Sequence, residues 1–124
     1  MQIQLPLWTP IVARTMFVSY FLTMGMSHLV HFRTHAQFIR GKGVPLAAGA
    51  TALTIVTMVI GGLLVLLNWH MLIGASLLFG IILPAPFFLH HFWKETDSYS
   101  QLSEFAHFAK DLSLAGAALL LMIA

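Results

Sequence analysis

Apolar positions in this chain come in four long blocks, and the polar residues collect in the gaps between them. The longest run, from Gly43 to Trp93, holds fifty-one residues between Lys42 and Lys94 with no Lys, Arg, Asp or Glu. As one continuous helix it would be about 75 Å long, more than twice the hydrocarbon thickness of a bilayer, so it must cross and return. Asn68, Trp69 and His70 near its middle mark the turn, with the Trp69 indole at headgroup depth. The run therefore predicts a transmembrane helical hairpin with arms over residues 46–67 and 71–92. Upstream, Trp8 and Pro10 stand where an interface anchor and a helix start belong. A first span over residues 11–32 follows, with Arg14 near its end where a long side chain reaches the headgroups. Downstream of a wet stretch, Phe92 to Glu104, a fourth span is expected over residues 105–124. The pattern predicts an all-α membrane protein: a four-transmembrane-helix bundle with short connections, forming one integral membrane domain over residues 1–124.

Composition agrees with the pattern. At 59% hydrophobic and 8% charged, the chain has too little polar surface to cover a water-soluble globule. Six Lys and Arg against four Asp and Glu, with no basic run, suggest headgroup contact or topology and no nucleic-acid partner. Cysteine is absent, which excludes disulfides and thiol chemistry. A cleaved signal peptide is rejected for the first span, which lacks a basic leader and a small-residue cleavage site. Residues 34–44 read as a short interfacial segment broken by Gly41 and Gly43, and Gly43-Val44-Pro45 launches the second span with the proline in its first turn. Gly61-Gly62 suits close helix packing, and Pro84 and Pro86 predict a bend in the second half of the third span. Arg33, Arg40, Lys42 and Lys94 lie with the long loops and only Arg14 with the termini, so the positive-inside rule puts the loops in the cytoplasm and both termini outside.

The order and spacing of several short motifs resemble the DoxX family. They are Arg14 opening the first span, Gly25-Met26-Ser27-His28-Leu29 late in it, Gly43-Val44-Pro45, Gly61-Gly62, and Phe108-Ala109-Lys110-Asp111-Leu112. Such proteins are small four-helix bacterial membrane proteins related to the DoxD-type subunit of thiosulfate:quinone oxidoreductase. The resemblance implies the bacterial inner membrane and an association with quinone-linked or oxidative-stress redox systems. Many members carry a Glu about one turn before the paired glycines; Met58 stands there in this chain, with Thr54 and Thr57 as its polar neighbours.

Histidine is the residue type that carries candidate chemistry. His28, His31 and His35, three and four apart, would share an arc of about 60° on one continuous helix. His90 and His91 end the third span and His107 opens the fourth, so six of the seven histidines gather toward the long-loop face, with His70 at the other. His28, His31, His91 and His107 are candidate cofactor ligands. His28, His31, His35, His90, His107 and Glu104 are candidate metal ligands, for copper or zinc, or for a bis-His haem. Glu104 and His107 have the Glu-x-x-His spacing of di-iron bundles, but a single such pair with no further membrane Glu argues against a di-iron site. Histidine also suits the headgroup boundary, where water or lipid phosphate satisfies it without metal, and that is the plainer account. Lys110 and Asp111, being adjacent, are expected on different faces, with Asp111 paired to a loop Arg or to His107. No nucleophile triad, phosphate loop or acid–base carboxylate pair is present in the sequence.

Three readings follow. The favoured one is an accessory or quinone-associated subunit of a membrane redox complex, not catalytic alone, whose partners are the lipid bilayer and either other redox subunits or further copies of itself. As part of an enzyme it would serve a quinone-linked oxidoreductase. The others are a membrane protein that holds copper, haem or a pigment on its histidines, and a structural or small-molecule-transport bundle.

Overall fold

The computed structural model describes residues 3–124; Met1 and Gln2, the start of the mixed opening stretch, lie outside them. Six α-helices follow one another: α1 (Thr9–Val30), α2 (Phe32–Gly41), α3 (Ala47–Leu66), α4 (Met71–Ile82), α5 (Ala85–Leu89) and α6 (Ser98–Ile123), with a 3-10 turn at Phe92–Lys94. The described residues include no strand. Three stretches are long and apolar enough to cross a membrane: α3, the run Met71–Lys94 through α4 and α5, and α6. The expected fourth is not among them. α1 has the length, at 22 residues, but carries Arg14, His28 and several hydroxyl side chains.

Local chemistry sets the ends of these elements. Pro10 sits in the first turn of α1, where its missing N–H leaves nothing unpaired. Within the apolar helices the Thr15, Thr51 and Thr54 hydroxyls each donate to the carbonyl four residues earlier, so none is left bare toward lipid. At His31 the backbone leaves the helical region (φ −108°, ψ 40°), and α2 starts again at Phe32 in a new direction. The interfacial stretch thus contains a regular helix. It buries Ala36 and Ile39, with Phe32 and His35 half-buried on the same face, and exposes Arg33, Gln37 and Arg40. Gly43, at φ 87°, turns the chain out of α2. Pro45 then precedes the helix and does not lie in its first turn, because Leu46 adopts a left-handed conformation and α3 begins only at Ala47.

The hairpin turn falls at Asn68-Trp69-His70, with Asn68 and His70 both left-handed. The bend of the third apolar run is also present. Leu83 still donates to Phe79, but Pro84 and Pro86 bring no N–H to continue the ladder, and the chain restarts as α5. α6 begins well before the expected Phe105. The Asp97 carboxylate accepts from the Ser100 backbone N–H at 2.9 Å and caps the helix at Ser98, inside the wet stretch.

The elements pack in the order α1, α3, α4, α6, with α2 laid against α3. Val18, Phe21, Met58, Val65, Ala75, Leu78, Ile82 and Ala115 form the core. Between membrane helices burial gains little over lipid, so tight van der Waals fit must hold them together. Gly61 and Gly74 supply it: a Cβ on Gly61 would lie 3.1 Å from the Gly74 carbonyl oxygen, and one on Gly74 only 2.8 Å from Leu64 Cβ. Gly62 faces the other way and receives Leu22 of α1. Leu53, Val56 and Ile60 of α3, Leu72 and Ile73 of α4, and Leu119, Leu120 and Ile123 of α6 are exposed, an apolar exterior suited to acyl chains. The backbones of α1 and α6 hardly approach one another, which leaves an open seam.

Candidate functional site

The seam widens into a cavity of about 290 Å³ at the end of the bundle that carries the long loops. Its walls are apolar, built from Ile39, Val44, Leu53, Met58, Ile82 and Phe88, and its polar groups are few: Tyr20, His28, His35, Thr54, His90 and Asp111. Leu53 and Phe88 flank the mouth and are 64% and 52% exposed, so it opens on the outer apolar surface. A second cavity of about 590 Å³ lies at the opposite end of the seam, lined by Arg14, Asn68 and apolar side chains.

On one side of the first cavity the helix breaks at His31, and across that break the His28 and His35 rings stack at 3.7 Å with 21° between their planes. Burial pushes the His35 imidazole below its ordinary value, favouring the uncharged ring. His31 takes no part: its ring Nδ1 lies 3.1 Å from the Ser27 carbonyl on the exposed side. The three-histidine stripe expected of one continuous helix is therefore replaced by a stacked pair and an outlier.

The opposite wall is organised around His90, which the two prolines place at the end of α5. Its Nδ1 is 3.0 Å from Glu104 Oε2 and its Nε2 is 3.5 Å from Asp111 Oδ2. His107, on the exposed side, stacks on the same ring with centroids 5.1 Å apart. A neutral imidazole has one N–H, so it can donate to only one of the two carboxylates. The hydrogen bond is the one to Glu104; the longer approach to Asp111 would become a second one only with a further proton, on the ring or on a carboxyl group. Asp111 is 2% exposed, and among the described residues nothing hydrogen-bonds its Oδ1. The nearest cation, Lys110 Nζ, stands 3.6 Å from that oxygen and 3.4 Å from the Tyr20 hydroxyl, and its Nζ lies over the Tyr20 ring. This contact bridges α1 and α6 across the seam.

Of the residues singled out in the sequence, His28, His35 and His90 line the cavity. Glu104 and His107 reach it only through His90. His91 turns away, its Nε2 lying 2.7 Å from the Phe87 carbonyl. The proposed ligands do not gather at one point, and among the described residues no three of His, Asp and Glu form a group that would hold a metal ion. Ring stacking and backbone or carboxylate contacts already engage these imidazoles. Asp111 meets His90 and Lys110, not a loop Arg, because the Lys110 stem is long enough to curl back beside its neighbour. Tyr20 went unnoticed in the sequence; a lone Tyr inside an apolar helix was the one available signal.

A bundle of apolar helices with a lipid-covered exterior, enclosing a small cavity whose polar groups sit together at one end, defines a multi-pass helical membrane protein. The chain belongs to the DoxX family: the family's model, described as DoxX, matches residues 9–91. The matched region takes in α1 to His91 and ends before α6, so Glu104, Lys110 and Asp111 lie beyond it. Comparison with curated proteins and with solved structures gave no match.

Proposed function

We propose that this protein is a quinone-associated subunit of a membrane redox complex in the bacterial inner membrane, binding the quinone head in the cavity beside Asp111. One observation carries the reading: Asp111, whose buried Oδ1 has no hydrogen-bond partner among the described residues, lines a cavity whose walls are mostly apolar. A quinone head is a flat apolar ring with oxygens at its two ends, and it suits such a space. The ring needs hydrocarbon walls, and each oxygen needs one polar partner. Asp111 accepts from a quinol hydroxyl, or donates to a quinone carbonyl when protonated; the Tyr20 hydroxyl and the His28 and His35 rings are placed for the second oxygen.

In this reading α1 is the fourth crossing, since it packs against α3 along the bundle and the Thr15 and Ser19 hydroxyls are satisfied within the helix. The loop face with Arg33, Arg40, Lys42 and Lys94 is cytoplasmic and both termini are outside. Electrons come from a partner redox subunit, and the exposed apolar faces of α3 and α6 serve as contacts for that partner or for a second copy.

The test is binding of ubiquinone-1 and menadione to the protein in nanodiscs, followed by quenching of tryptophan fluorescence. Saturable quenching near one equivalent is expected. Thr54→Phe, which fills the cavity, is expected to weaken it at least about tenfold. Quenching that never saturates for either compound, or is unchanged in Thr54→Phe, would overturn the reading.

A further inference from the structure

We propose that Glu104, His90 and Asp111 form a proton-carrying chain from the watery loop face to the cavity, ending at Asp111 as the group that exchanges a proton with the ligand. The identity of that ligand rests on the quinone reading above; the chain rests on geometry alone. Side-chain exposure falls along it, from 24% at Glu104 through 17% at His90 to 3% at Asp111. His90 Nδ1 is hydrogen-bonded to Glu104 Oε2 at 3.0 Å, and His90 Nε2 stands 3.5 Å from Asp111 Oδ2, an ion-pair contact that a small shift of the ring would tighten into a hydrogen bond. Asp111 lines the cavity, and among the described residues its buried Oδ1 has no hydrogen-bond partner.

Inward passage balances in three moves. A proton from water neutralises the Glu104 carboxylate. It then passes to His90 Nδ1, and the ring gives the proton on Nε2 to Asp111. Glu104 is an anion again, the ring is neutral with its proton on Nδ1, and Asp111 is a neutral acid; rotation of the ring or exchange with water restores the starting tautomer. A quinone taking two electrons from a reduced flavin or metal centre in the partner subunit takes two protons, so two passages serve each quinol formed.

Asp111 has a lysine ammonium beside it, and that ammonium is shared with a second acceptor. Lys110 and His107 approach from α6, His90 from the end of α5 and Tyr20 from α1, with His28 and His35 on the opposite wall of the cavity. Lys110 pairs with Oδ1 at 3.6 Å, beyond hydrogen-bond distance, and donates its hydrogen bond to the Tyr20 hydroxyl instead, so Oδ1 keeps an unused lone pair.

The experiment follows the infrared carboxyl band of Asp111, assigned by its loss in Asp111→Asn, during transfer of the nanodisc-held protein into heavy water, with no quinone present. Hydrogen–deuterium exchange of that carboxyl is expected to be fast in the wild type. It is expected to be slowed by about 10²-fold or more in His90→Phe, which keeps a stacking ring, and in Glu104→Gln, which keeps the shape at a near-surface position. Added imidazole is expected to restore the rate in His90→Phe. The absence of a protonated Asp111 band at any pH at which the protein stays folded overturns the proposal. So does unchanged exchange in Glu104→Gln together with His90→Phe. If exchange behaves as expected while ubiquinone-1 and menadione fail to bind, the quinone reading falls and the proton chain stands.

Discussion

Gly74 and Gly80 lie on the same helix with opposite surroundings. A methyl on Gly74 would press Leu64 and the Gly61 carbonyl, whereas one on Gly80 meets nothing within 4 Å. Gly74→Ala is expected to destabilise the bundle by about 1–3 kcal/mol, and Gly80→Ala to be neutral or to stabilise it by up to about 1 kcal/mol. Unfolding midpoints in detergent distinguish the two. His35 gives a second prediction at this scale. Its folded value lies below the ordinary imidazole value, so the unfolded chain binds the proton more readily. Stability is complete above the ordinary value and declines as pH falls below it toward the lowered one; His35→Phe is expected to flatten that decline in melts taken across the interval. At the residue level the sequence exposed the histidines and the glycines by spacing, but not their partners. That Gly61 serves α4 while Gly62 serves α1, or that Asp111 meets His90, depends on helix rotations no local spacing encodes.

Helix boundaries decide which side chains meet. The break at His31 stacks His28 on His35, and the restart after Pro84 aims His90 at Glu104 and Asp111. Pro84 was legible as a bend because its chemistry is local. The His31 break was not, since no Gly or Pro marks it, and the amphipathic pattern of α2, with Phe32, His35, Ala36 and Ile39 on one face, falls where the sequence suggests only a short interfacial segment broken by Gly41 and Gly43. The start of α6 was misjudged for a related reason: polarity suggested a loop where an Asp97 cap had begun a helix. Removing the cap with Asp97→Ala is expected to fray the first turn of α6, seen as faster amide exchange at Ser100. The Ser100 backbone N–H holds the Asp97 carboxyl below its ordinary value. Its contribution is therefore complete above that ordinary value and lost as pH falls through the lowered one, so acid is expected to mimic the substitution.

At the scale of the molecule, membrane character, helical class and family were all legible, because fifty-one uncharged residues leave few alternatives. The number of crossings was less so, as α1 is diluted by Arg14 and its hydroxyls. The chain has no cysteine, so single introduced thiols report sidedness directly. Gln37→Cys and Gln101→Cys are expected to react with an impermeant maleimide only from the cytoplasmic side, and Trp69→Cys only from outside. Reaction of all three from one side would refute the hairpin between them. The cavity mouth between Leu53 and Phe88 has a consequence for any oily ligand. Such a molecule arrives by lateral diffusion within the leaflet, so the concentration the protein senses is mole fraction in lipid, not molarity in buffer. Dissociation constants titrated from water then vary with the partition coefficient and with the amount of lipid, so two compounds are compared fairly only at a fixed lipid content and in units of mole fraction.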